Sequence, residues 1–197
     1  MKGDDRSKTK KCAILFPGVG YGADRPLLYY SAKLAKQAGW DVRAVGYPEF
    51  KSAAISDMRR DQARRERAFY QALNSVQGQL QAFPDYDGYL LIGKSIGTIL
   101  AAHLAAGTFQ RKTVHHIFYT PLKETFDFAR DGCGIAFCGD ADPWVGRETV
   151  AAGAKARHLP LTVYPGANHS LETGDVLHDL DTLKDAMIRT ENYIRTL

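Results

Sequence analysis

Three short stretches of the 197-residue chain carry side chains able to act on a carbonyl. Ser95 stands in Gly93-Lys94-Ser95-Ile96-Gly97, Asp140 and Asp142 in GDADPWV, and His169 in PGANHSLE. A serine hydroxyl is a poor nucleophile at neutral pH until an imidazole takes its proton. The imidazole in turn needs a carboxylate to fix its tautomer and support its charge. The three stretches supply these groups in the chain order Ser, Asp, His, with either aspartate available as the carboxylate.

The serine stretch admits a second chemistry, because Gly88, Gly93, Lys94 and Ser95 also spell the phosphate-loop pattern G-x-x-x-x-G-K-[ST]. In a phosphate loop the intervening residues turn their backbone N–H groups toward an anion. Here they are Tyr89, Leu90, Leu91 and Ile92, an apolar run that reads as buried strand. A strand cannot cradle a phosphate. The preferred reading is a nucleophile elbow, G-x-S-x-G, in which the serine occupies a sharp strand-to-helix turn flanked by small residues. The following run IGTILAAHLAA supplies the helix.

These groups meet only if the surrounding segments bring their turns together. Strand-like runs occupy 10–16, 41–47, 88–94, 113–120, 133–139 and 161–166, with helical patterns at Leu27 to Gly39, Ser52 to Phe83, after Ser95, and Leu177 to Arg195. This alternation predicts an α/β fold: a doubly wound, mostly parallel sheet of about six strands with helices on both faces. Ligands of such sheets bind beyond the carboxyl ends of the strands. Ser95, the two aspartates and His169 follow the third, fifth and sixth strands.

A hydrophobic content of 45% over 197 residues suits one domain, expected over 11–197 after a flexible polar tail over 1–10. Of the formal charge of +4, residues 1–11 carry +3, so the remainder is close to neutral and nucleic acid is not the expected partner. The tail MKGDDRSKTK lacks the apolar segment of a secretory signal, and no run approaches the roughly 18 apolar residues of a membrane span. A cytoplasmic protein without membrane association is the expectation. Cys12, Cys133 and Cys138 are odd in number and at no metal-ligand spacing, and are expected to be reduced, buried thiols.

With the elbow GKSIG, the acid turn GDADPWV and the histidine turn GANHSLE in this order, the chain resembles the α/β-hydrolase superfamily. The likeness is to small, lidless, bacterial-type serine hydrolases akin to dienelactone hydrolases and small esterases. It spans about Lys11 to Leu197, starting at what the family treats as its third strand. The resemblance implies Ser95 as nucleophile, His169 as base and then acid, and Asp142 as orienting carboxylate. The family pattern G-x-x-D-x-x-V aligns with Gly139, Asp142 and Val145 and favours Asp142 over Asp140. It implies an oxyanion hole from the backbone N–H groups of Ile96 and Val19, although Pro17 replaces a histidine common in relatives. It implies neither cofactor nor metal.

Other residues rank lower. Lys94 and Tyr21 are candidate substrate-binding residues, Lys94 being expected at an exposed helix edge and Tyr21 near the pocket, with Asp24 as a candidate helix cap. His115 and His116 fall within a strand, so at least one is expected to pack in the sheet, and His103 lies in the helix after Ser95. The basic run Arg59, Arg60, Arg64, Arg65 and Arg67 reads either as a solvated face or as a surface that meets an anionic substrate. Between the fourth and fifth strands only PLKETFDFARDG replaces the lid of larger relatives, so an open site for short or soluble acyl groups is expected. The function expected is hydrolysis of a carboxylic ester or thioester through an acyl-enzyme. The alternatives are a non-catalytic binding or regulatory module on the same scaffold and, on the phosphate-loop spelling, a nucleotide-binding protein.

Overall fold

The computed structural model of the chain describes residues 10–47 and 62–197. Its strands are β1 (Lys11–Phe16), β2 (Asp41–Ala44), β3 (Gly88–Lys94), β4 (Thr113–Tyr119), β5 (Gly134–Gly139) and β6 (Leu161–Tyr164). They form one sheet in the order β2-β1-β3-β4-β5-β6. Every pairing is parallel, where a mostly parallel sheet was expected. The helices are α1 (Pro26–Gln37), α2 (Gln62–Gln81), α3 (Ile96–Ala106), α4 (Thr125–Phe128), α5 (Arg147–Ala156) and α6 (Val176–Ile194).

The central strand β3 shows why both faces are covered. Successive side chains of a strand point to opposite sides. Tyr89 and Leu91 pack with Ala72 and Val76 of α2, Leu100 and Leu104 of α3 and Val150 of α5. Leu90 and Ile92 enter the other cluster with Leu28 and Ala35 of α1 and Ala186 and Ile194 of α6. Every residue of β3 is buried, and each large apolar side chain so removed from water contributes about 1.5–3 kcal/mol. The phosphate-loop spelling therefore falls on continuous strand, which overturns the nucleotide-binding reading of these residues.

Some expected boundaries move. Strand β2 ends at Ala44 rather than residue 47. The tail over 1–9 and the start of the long helix lie outside the described residues, as do Arg59 and Arg60; Arg64 and Arg67 are exposed on α2. Asp24 does not cap α1: Arg25 holds the N-cap position without a side-chain bond, and Pro26 starts the helix, where its missing N–H costs nothing. Helix α6 is capped by Asp175, whose carboxylate accepts from the N–H groups of Leu177 and His178 at 3.0 Å each. Between β4 and β5 the chain forms only the single turn of α4. No described helix is long and apolar enough to cross a membrane.

Candidate active site

The turn from β3 to α3 forces Ser95 into φ 55°, ψ −124°, a region that side-chain-bearing residues rarely occupy and that costs of order 1–3 kcal/mol. The surroundings hold it there. The Ser95 N–H donates to the Tyr119 carbonyl at 3.0 Å. The Thr98 hydroxyl donates to the Ser95 carbonyl at 2.6 Å and accepts from Thr125, also at 2.6 Å. A Cβ on Gly93 would stand 2.7 Å from the Thr98 Cα, and one on Gly97 2.1 Å from the Phe16 carbonyl oxygen. The two elbow glycines are thus required by close approach of the helix to its own strand and to the end of β1.

The turns after β5 and β6 lock onto each other. The Ala141 N–H donates to the Ala167 carbonyl at 3.1 Å, and the Gly166 N–H donates to the Asp140 carboxylate at 2.6 Å. Asp140 is therefore spent on the backbone of the histidine turn. Asn168 shapes the same turn, its side-chain oxygen accepting from Ser170 N–H at 2.7 Å.

Held this way, Asp142 Oδ2 lies 2.6 Å from His169 Nδ1, and His169 Nε2 lies 2.7 Å from Ser95 Oγ. The carboxylate on Nδ1 selects the tautomer that leaves Nε2 to accept the serine proton. The Asp142 side chain is only 2% exposed. Burial alone would raise its carboxyl pKa. The hydrogen bond and charge of His169 and the Trp144 N–H, 2.8 Å from Oδ1, outweigh this and hold it below the ordinary carboxylate value.

The loop after β1 lies against the elbow. A Cβ on Gly18 would stand 3.3 Å from the Ser95 Cβ, and Tyr47 donates its hydroxyl to the Pro17 carbonyl. Among the described residues, neither the Val19 nor the Ile96 N–H has a hydrogen-bond acceptor. Tyr21 is half-buried, with its hydroxyl accepting from the Leu27 N–H at 3.1 Å.

Lys94 corrects an expectation. It is the last residue of β3, not an exposed helix edge, and is 1% exposed. Its position in the two-residue alternation turns the side chain toward the α1 face, where Nζ lies 5.1 Å from the centroid of the Tyr21 ring. Burial pushes its pKa down to about 7 against the opposing pull of Asp142 and Glu172.

Trp144 was not singled out from the sequence. Its ring, 40% exposed, lies 5.7 Å from that of His169, and the signal that could have found it is its place two residues after the aspartate. His116 is fully buried, and among the described residues neither ring nitrogen has a hydrogen-bond partner, whereas His115 meets the Tyr193 hydroxyl at 3.2 Å. Cys12 and Cys138 are buried and Cys133 is partly so, all three free. Among the described residues no group of three or more His, Cys, Asp or Glu is placed to hold a metal ion.

No protein-family model and no curated protein matches the chain. Solved structures do. A Xanthomonas campestris protein assigned to the α/β-hydrolase superfamily is 16% identical, with a TM-score of 0.63 over 95% of this chain and 99% of its own. A lidless α/β serine hydrolase from the same organism is 17% identical, with a TM-score of 0.63 over 98% of this chain and 85% of its own. Est1E from Butyrivibrio proteoclasticus, solved with ferulic acid bound, is 14% identical, with a TM-score of 0.62 over 94% of this chain and 92% of its own. These identities speak for architecture, and together with the parallel sheet and its order of turns they establish that the chain has the α/β-hydrolase fold.

Proposed function

We propose that the protein is a serine hydrolase that cleaves a short or soluble carboxylic ester or thioester through an acyl-enzyme. The observation that carries this reading is the unbroken hydrogen-bonded series Ser95–His169–Asp142, at 2.7 and 2.6 Å. His169 Nε2 takes the Ser95 proton as Oγ attacks the substrate carbonyl, while Asp142 supports the imidazolium through Nδ1–H. The N–H groups of Ile96 and Val19 receive the developing oxyanion. His169 then gives its proton to the leaving alcohol or thiol. In the second half-reaction it takes a proton from water, which attacks the acyl-Ser95 ester, and returns that proton to Ser95 Oγ as the acid is released.

The short β4–β5 connection, which among the described residues inserts only the single turn of α4, supports small acyl groups. The fold neighbours that are hydrolases support the reaction class in the same direction. A panel of acetyl to octanoyl esters and thioesters tests the reading. Turnover by the wild type that falls to background in Ser95→Ala supports it; equal turnover by the two proteins rejects it.

A further inference from the structure

The solvent face of α6 carries side chains that the hydrolysis described above does not use. Thr182, Ala186, Thr190 and Ile194 bury one side of the helix. On the other side Leu177, Leu180 and Ile188 are 75%, 55% and 47% exposed. With Lys184, also exposed, they recur every three or four residues and so line up as one row along the helix. Single exposed leucines are ordinary, whereas a row of large apolar side chains marks a contact surface. Asp181 adjoins the row, and among the described residues neither it nor Lys184 takes part in an ion pair.

The order of these residues is self-complementary. Leu177 precedes Asp181 by four residues, and Lys184 precedes Ile188 by four. Two copies of α6 lying antiparallel, with a two-fold axis between residues 182 and 183, therefore set Leu177 against Ile188 of the partner subunit. The same register sets Asp181 against Lys184 of the partner subunit. Each pair then occurs twice, as a two-fold contact requires. We propose that this face of α6 is a docking surface for a second copy of the chain, paired in that register. Leu180 and the apolar stem of Lys184 flank the axis. Other occupants fit less well. Acidic residues outnumber basic ones along α6, the wrong balance for an anionic lipid surface. The segment over 1–9 offers only Met1 as a large apolar side chain, too little to cover the row. The helix has 19 residues and is about 28 Å long, so the contact falls at the small end of specific interfaces and a micromolar Kd is expected.

Sedimentation equilibrium from low to high micromolar protein tests the surface without reference to activity. The wild type is expected to pass from one chain to two over this range. Leu180→Glu and Asp181→Lys should each weaken the association at least about tenfold, the second by setting like charges against each other. Lys184→Asp should act as Asp181→Lys does. The double variant Asp181→Lys/Lys184→Asp should associate like the wild type, because each charge pair is restored in reverse. These positions are exposed, so the variants should fold, and far-UV circular dichroism checks that they do. A wild type that stays monomeric overturns the proposal. Association that then appears only on deletion of residues 1–9 assigns the row to that segment, and co-sedimentation with phosphatidylglycerol vesicles assigns it to a lipid surface. Association unchanged in Leu180→Glu and Asp181→Lys, or not recovered in the double variant, also overturns it.

Discussion

The Nε2 atom of His169 lies 2.7 Å from the hydroxyl oxygen of Ser95, a residue 74 positions earlier in the chain. Side chains that act as one unit lose their effect together. Ser95→Ala and His169→Ala are each expected to lower kcat by roughly four to six orders of magnitude. The double variant should be no worse than either alone. Steady-state kinetics on a turned-over ester checks both statements, and additive losses would contradict the shared role.

The two aspartates should separate cleanly. Asp142→Asn is expected to reduce kcat by about 10⁴ with little change in unfolding midpoint, because it upsets the tautomer of His169. Asp140→Ala instead frees the Gly166 N–H to water and should cost about 0.5–1.5 kcal/mol of stability with a much smaller kinetic effect. Urea unfolding and kinetics on both variants make the comparison.

Two glycines should respond in opposite directions to alanine. A Cβ on Gly139 would stand 1.9 Å from the Ala167 carbonyl oxygen, so Gly139→Ala must push the acid turn from the histidine turn. A loss of about 3 kcal/mol or more, with loss of activity, is expected. Gly78 sits inside α2 with open space around its would-be Cβ, and Gly78→Ala should stabilise by about 0.5–1 kcal/mol. Thermal or denaturant midpoints distinguish the two.

His116 predicts acid sensitivity. Desolvation, with the nearby charges of Arg130 and His115, pushes its pKa down from 6.5 to about 3 in the folded protein. Between these values the unfolded chain binds a proton that the folded chain refuses. Stability therefore falls as pH drops below about 6.5, by at most about 1.4 kcal/mol per pH unit from this residue, and the loss levels off near pH 3. His116→Met should flatten the dependence across that window without loss of stability at pH 7, since among the described residues neither ring nitrogen has a hydrogen-bond partner. An equally steep profile in the variant would contradict the assignment.

Much of this arrangement is written locally. The strands after which Ser95, Asp142 and His169 stand are short apolar runs ended by Gly or Pro, so their existence and type follow from composition alone. Other features depend on partners distant in the chain. Lys94 reads as a surface residue because its neighbour Ser95 opens a helix, yet the two-residue alternation of β3 turns its side chain into the α1 face. Asp140 and Asp142 are equivalent by type, and only the packing of the turn after β5 on the turn after β6 divides their duties. Asp24 looked like a cap until Pro26 fixed the start of α1 two residues later. Trp144 carried no mark of its nearness to His169, a contact made between two separate turns.

The central claim is that Ser95 is an activated nucleophile. Labelling the purified wild type with a fluorophosphonate probe and locating the adduct by mass spectrometry tests it most directly. The expected result is one adduct, on Ser95, absent from Ser95→Ala and strongly reduced in His169→Ala. A folded wild type that takes no label, or takes it on another residue, would contradict the claim.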